Sequence, residues 1–183
     1  MRVTPCPLKG MFLLESTTFK DDRGSFTRLF CTEELKQAEV YKPIVQINTS
    51  CTYDKGTIRG MHFQYPPHAE YKIVRCIQGR CFDVAVDLRK DSLTFLHWYG
   101  EVLSAENERA LVIPEGFAHG FQTMERDTRL LYFHTAMYTP ESEGGVLYND
   151  QAIDIDWPLP PQNISERDLK SPLIDQNFSG INI

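Results

Sequence analysis

The sequence predicts an all-β protein made of two packed sheets, and three observations carry that expectation. Short runs rich in β-branched and aromatic residues follow one another through the middle of the chain. Eleven Gly and eleven Pro are scattered along the 183 residues, as turns between many short elements require. Stretches with the period of an amphipathic helix are scarce. Hydrophobic residues make up 42% of the chain, enough to bury a core without disulfides. The length suits one domain spanning residues 1–183.

Up to about Val40 the chain carries one strand-like run, residues 25–30, and then a short helical candidate at 32–38. Strands are expected at 44–51, 57–64, 71–78, 81–88, 95–103, 109–113 and 129–138. Within 81–88, Val84, Val86 and Leu88 alternate with Asp83, Ala85 and Asp87, the pattern of a half-buried strand. Gln78-Gly79-Arg80 and Pro114-Glu115-Gly116 supply turns. Beyond Pro158 the sequence is proline-rich, with one short helical candidate after Ser165. A double-sheet barrel with extra N-terminal strands and a C-terminal wrap is the simplest assembly.

The formal net charge of -6 argues against a nucleic-acid or membrane-surface partner, but a few local Arg and Lys residues can still bind a small anion. The five cysteines, Cys6, Cys31, Cys51, Cys76 and Cys81, are odd in number and lack CxxC spacing, so they read as buried or idle thiols in a reducing compartment. The first residues have no apolar stretch of signal-peptide length, and no run approaches a membrane span, so a cytoplasmic location is expected.

Several motifs then occur in order: Asp22-Arg23-Gly24-Ser25-Phe26, Ile58-Arg59-Gly60-Met61-His62-Phe63-Gln64, Tyr71-Lys72-Ile73-Val74-Arg75-Cys76, Asp83-Val84-Ala85-Val86-Asp87-Leu88-Arg89 and Ile113-Pro114-Glu115-Gly116-Phe117-Ala118-His119-Gly120-Phe121. Asn149-Asp150, Ile155-Asp156-Trp157-Pro158 and Ser165-Glu166-Arg167-Asp168 complete the set. Together they resemble the dTDP-4-dehydrorhamnose 3,5-epimerase family, whose members are cupin-like jelly rolls. The resemblance implies inversion at C3 and/or C5 of a dTDP-4-keto-6-deoxyhexose in deoxysugar biosynthesis, and a homodimer whose N-terminal strand carries Arg23 to the other subunit's site. This chain departs from the family in having Arg28 where Glu is often found, and Arg167 where Lys is common.

The implied chemistry removes a proton beside a ketone and returns one to the opposite face. It needs a base, a stabiliser for the enolate oxygen and an acid on the far side. It needs no redox cofactor, and the chain has no Gly-rich phosphate loop. Nor is a metal expected: metal-binding cupins present a His-x-His pair, whereas His62 is followed by Phe63 and Gln64.

By the resemblance His62 is the base, a role histidine fills at neutral pH; taken alone it reads more readily as a core or turn histidine with a satisfied hydrogen bond. Strict alternation would put Arg59 and His62 on opposite faces, so either Gly60 marks a bulge or the two serve different ends of a site. Asp168 would orient His62, although Ser165-Glu166-Arg167-Asp168 is also a helix-capping pattern. Lys72 and His119 would hold the enolate oxygen and the sugar; the plain alternatives are a solvated lysine and a turn histidine between Gly116 and Gly120. Tyr132 and Tyr138 share strand parity with His134, and one would be the acid, Tyr132 by preference. Arg23, Arg28, Arg59 and Arg167 would surround the pyrophosphate and nucleotide. Phe26 would stack on the base, Gln46 and Asn48 would read base and ribose edges, and Glu143 would lie near the nucleotide. His68, His97 and His134 are left as structural. The competing readings are a single-carbon epimerase or ketoisomerase on a related nucleotide sugar, a metal-dependent cupin oxygenase, and a non-catalytic sugar-nucleotide-binding module.

Overall fold

The computed structural model describes residues 1–183. In chain order its strands are β1 (Arg2–Pro5), β2 (Phe12–Glu15), β3 (Thr18–Asp21), β4 (Gly24–Thr27), β5 (Gln46–Thr52), β6 (Ile58–Gln64), β7 (Lys72–Gln78), β8 (Arg80–Asp87), β9 (Trp98–Ser104), β10 (Arg109–Ile113), β11 (Phe117–Thr123), β12 (Thr128–His134) and β13 (Glu143–Gly145). One sheet runs β1-β2-β10-β7-β12-β5 and the other β13-β6-β11-β8-β9; β3 and β4 form a separate hairpin. All pairings within these sheets are antiparallel. From β5 to β8, and again from β9 to β12, the chain changes sheet at every step. That alternation makes the jelly roll, and it brings the inward faces of β5, β7 and β12 opposite those of β6 and β11.

Three apolar layers hold this arrangement. Val74, Leu111 and Leu130 of the first sheet meet Ala85, Phe117 and Phe121 of the second between the sheets. Outside the second sheet, Met61, Phe63, Val84, Val86 and Ala118 are covered by Ile153, Ile155 and Ile181 of the C-terminal segment. Outside the first, Ile73, Val112 and Phe133 are covered by Leu35, Ala38 and Val40, on and just after the helical turn α1 (Thr32–Leu35) and its 3-10 continuation. Each fully buried side chain of this size contributes roughly 1.5–3 kcal/mol, so the two wraps stabilise strands that would otherwise present apolar faces to water.

Several expectations are corrected here. The 81–88 run is buried on both faces, not half-buried, because the C-terminal segment covers Val84 and Val86 while Ala85 and Asp83 face inward. The N-terminal region holds four strands rather than one. The ninth strand starts at Trp98 because the preceding residues form turns on the Asp87 carboxylate, which accepts hydrogen bonds from Ser92 Oγ and Thr94 Oγ1. β12 stops at His134, four residues short of Tyr138. His119 is not in a turn: it lies mid-strand in β11, every residue of which is buried. The C-terminal helix is the single turn α2 (Glu166–Leu169), and no helix is long and apolar enough to cross a membrane.

Candidate active site

The local event that builds the site is in β6. His62 pairs with His119 and Arg59 with Phe121, so β6 uses one residue more than β11 across the same stretch. The extra residue is a bulge at Gly60. Gly60 has φ 125°, and a Cβ there would stand 2.5 Å from Gly120 Cα, so only glycine allows the two strands to approach this closely. The bulge breaks alternation, and Arg59 and His62 line the same cavity rather than opposite faces.

Asp168 meets His62 from α2. Ser165 is the N-cap, its Oγ accepting the Asp168 N–H at 3.1 Å, so the capping pattern uses only the backbone of Asp168. The carboxylate is left free to bridge: Oδ1 lies 2.8 Å from His62 Nε2, and Oδ2 accepts the Gly60 N–H at 3.1 Å. Burial pushes this carboxyl up, but the hydrogen bonds from His62 and Gly60 outweigh it and hold it below the usual Asp range. An ionised Asp168 accepts from Nε2–H, so in the neutral ring of His62 the lone pair sits on Nδ1.

Across the cavity stand residues of the other sheet. The open cavity between them, about 280 Å³, is lined by Asn48, Ser50, Arg59, His62, Lys72 and His119, together with Thr49, Phe121, Tyr132 and His134. Tyr132 OH is 2.9 Å from Ser50 Oγ, and burial pushes its pKa well above the ordinary tyrosine value, so the phenol keeps its proton. Lys72 Nζ donates to the His62 carbonyl at 3.4 Å and stands 3.3 Å from Glu70 Oε1. His119 Nε2 is 2.9 Å from Asp83 Oδ2, and Asp83 is fully buried.

An adjoining groove of about 540 Å³ opens beside His62 and Asp168, with Arg59, Arg167, Ser165 and Asn163 in its wall. It is polar, with Asp54 and Asp168 beside the two arginines, and the guanidinium groups of Arg59 and Arg167 can take a phosphorylated ligand. Arg167 is ion-paired with Glu143, whose other oxygen accepts Tyr138 OH at 3.1 Å. Tyr138 is therefore on the rim, half exposed, and not on the Tyr132 face: β12 has ended, and strand parity does not extend to it. Gln46 lies outside the inner cavity and accepts the Tyr138 N–H at 3.1 Å.

Arg23, Phe26 and Arg28 are not brought to this site. Arg23 and Phe26 belong to the exposed β3–β4 hairpin, where Arg23 pairs with Asp21 at 2.6 Å. Arg28 pairs with Glu34 at 3.2 Å. Ser50, His134, Thr49 and Phe121 line the cavity without having been singled out from sequence as site residues, and Glu70 and Asp83 support it from behind by pairing with Lys72, His134 and His119. Ser50 shares parity with Gln46 and Asn48, and His134 with Tyr132, so those two carried a usable signal; the pairings of Asp83 and Glu70 are long-range and carried none. No three His, Cys, Asp or Glu side chains converge in a way that could hold a metal ion.

A bulge-presented His–Asp pair facing a half-buried tyrosine and a lysine, beside a groove that holds two arginines, can move protons on a phosphorylated ligand. The chain matches, over residues 5–176, the family model described as dTDP-4-dehydrorhamnose 3,5-epimerase. It is 44% identical over 178 residues to the enzyme of that name from Salmonella typhimurium, covering 96% of this chain and 97% of that one. The crystal structure of the Bacillus anthracis epimerase with TDP and PPi bound superposes with a TM-score of 0.91 at 42% identity, covering 94% of this chain and 99% of that one. The Legionella pneumophila dTDP-6-deoxy-D-glucose-3,5-epimerase, solved with dTDP-4-keto-L-rhamnose, gives a TM-score of 0.92 at 34% identity, covering 100% and 98% of the two chains. Matching at this identity along nearly the whole chain, it belongs to the dTDP-4-dehydrorhamnose 3,5-epimerase family.

Proposed function

We propose that this chain inverts the carbons flanking the ketone, C3 and C5, of a dTDP-4-keto-6-deoxyhexose, using its own side chains without metal or redox cofactor. The observation that supports this most is that His62, held by Asp168, and the protonated Tyr132 line one cavity from opposite sheets. His62 Nδ1 takes the proton from the carbon beside the ketone, and the C–H electron pair becomes the C=C of an enolate. Asp168 stabilises the imidazolium that results. The Lys72 ammonium offsets the charge gathering on the enolate oxygen, and His119, fixed by Asp83, faces the sugar. Tyr132 then gives its proton to the opposite face, and Ser50 offers a path for reloading the phenol. Arg59 and Arg167 bind the pyrophosphate along the outer groove, with Asn48, Gln46, Tyr138 and Glu143 around the rest of the ligand.

The active form we propose is a homodimer. The β3–β4 hairpin projects Phe19 and Phe26 with 68% and 71% of their surface exposed, and Arg23 lines only the hairpin's own concavity, not the cavity or the groove beside His62. A partner's site would give these side chains a place.

The test is proton NMR of dTDP-4-keto-6-deoxyglucose with the protein in deuterated water containing a chelator. Deuterium entering at C3 and C5 with appearance of the inverted sugar is expected. Exchange at one carbon identifies a single-carbon epimerase, binding without exchange identifies a module, and activity that vanishes with the chelator and returns with metal refutes the cofactor-free scheme.

A further inference from the structure

The catalytic scheme uses Lys72 but leaves unexplained what its ammonium is tied to. Glu70 Oε1 lies 3.3 Å from Lys72 Nζ, and Glu70 Oε2 lies 2.8 Å from His134 Nδ1. His134 Nε2 in turn lies 3.4 Å from Asn48 Nδ2, and its ring stacks on Tyr132 with centroids 6.1 Å apart. The side chains of Lys72, Glu70 and His134 are 13%, 8% and 12% exposed, so all three charges or dipoles are largely out of water. His134 and Lys72 are register partners on adjacent strands, and Glu70 precedes β7 by one residue beyond Tyr71.

We infer that Glu70 and His134 are positioning residues for the reaction: they fix the Lys72 ammonium at the cavity wall and, through the His134 tautomer, set the orientation of the Asn48 amide. This rests on the epimerase reading above. A lysine side chain has several free rotors, and a single well-placed carboxylate removes most of that freedom. Glu70 can do this only while its second oxygen is also satisfied, because a buried carboxylate with one partner is costly. His134 supplies that second donor. Burial pushes the Glu70 carboxyl up, but His134 and Lys72 together hold it below the ordinary Glu range, which keeps it anionic at neutral pH. With Nδ1–H committed to Glu70, neutral His134 presents Nε2 as an acceptor, and Asn48 Nδ2 donates to it. The Asn48 carbonyl oxygen is thereby left to accept from the ligand.

Glu70→Gln is the informative substitution. Glutamine has one acceptor oxygen for two donors, so it either releases Lys72 or forces the His134 proton onto Nε2, against the Asn48 amide. The expected result is a kcat lowered roughly tenfold to a hundredfold with a KM changed much less, since misplacing a catalytic group slows the step without removing ligand contacts. The same substitution made on Lys72→Met should change kcat by less than about twofold, because the loss of turnover runs through Lys72 while the Asn48 amide acts on ligand binding. Equal fold-losses in the two backgrounds, or an unchanged kcat in Glu70→Gln, overturn the inference. Long-range proton–nitrogen NMR of the His134 ring gives a readout independent of turnover: Nδ1 protonated and Nε2 bare in the wild type, altered in Glu70→Gln. A wild-type His134 carrying its proton on Nε2 overturns the inference even in an active enzyme. A wild-type chain that shows the expected tautomer but exchanges no deuterium fails the epimerase reading instead.

Discussion

Replacing Asp168 by Asn isolates what the carboxylate does for His62. Asp168 satisfies two donors at once, the Gly60 N–H and the ring of His62. Asparagine keeps the shape but has one acceptor oxygen. The Gly60 N–H is a fixed donor in the bulge and must take that oxygen, which turns the amide NH2 toward His62 Nε2. Histidine can accept this bond only as the tautomer protonated on Nδ1, the nitrogen we propose as the base, and a protonated Nδ1 is no base. The same logic in a Ser-His-Asp triad lowers turnover by about 10⁴. We expect a loss of roughly 10³–10⁴ here, about 4–5 kcal/mol in barrier at 1.36 kcal/mol per decade. Binding of dTDP, measured by calorimetry, should stay close to wild type. Asp168→Ala should behave differently: it leaves the buried Gly60 N–H without a partner and adds a stability loss of about 1–3 kcal/mol. Deuterium uptake into the keto sugar, followed by NMR, is the assay. An Asp168→Asn protein that exchanges within tenfold of wild type would refute the dyad.

Tyr132→Phe should let deuterium enter the starting sugar from the His62 side while inverted product falls by roughly a hundredfold or more; normal inversion would transfer the acid role elsewhere. Gly60→Ala should lower stability by at least roughly 1–3 kcal/mol for its φ of 125° alone, with the Gly120 contact adding to it, and denaturant melts will read this. Arg23→Ala and Arg59→Ala should each weaken dTDP binding, and mixing the two inactive proteins should restore activity, because a mixed dimer contains one intact composite site; no recovery means the hairpin serves its own subunit. Glu70, Asp87 and Asp168 all have folded-state pKa values below their ordinary ones. Their stabilisation is therefore complete above the unfolded values, about 3.9 for Asp and 4.3 for Glu, and disappears as pH falls through the lower folded values. Urea melts between pH 7 and 3 should show that loss, shallower in Asp87→Asn.

How far the sequence could be read followed from burial. β7 and β10 were visible close to their true ends because their β-branched runs are bounded by turn residues. β11 was hidden, since a strand buried on both faces has no alternation and its glycines mimic a turn. Strand parity did not carry Tyr138 to the face of Tyr132, because parity holds only while the strand continues and β12 ends at His134. The ordered motifs named the family, and with it His62, Asp168, Lys72 and Tyr132. What they could not express is distance.

Local composition and alternation determine that this chain is all-β, where most strands fall, and which residue types can move protons. Those properties depend on neighbours along the chain. Tertiary structure alone decided that the Gly60 bulge turns Arg59 and His62 the same way, and that Asp168 uses its backbone for a cap and its carboxylate for His62 across 106 residues. It also decided that Glu70 and His134, 64 residues apart, close around Lys72. Each of these is a contact between groups whose pairing energy exists only once the two sheets have met. No periodicity along the chain can encode a distance across it.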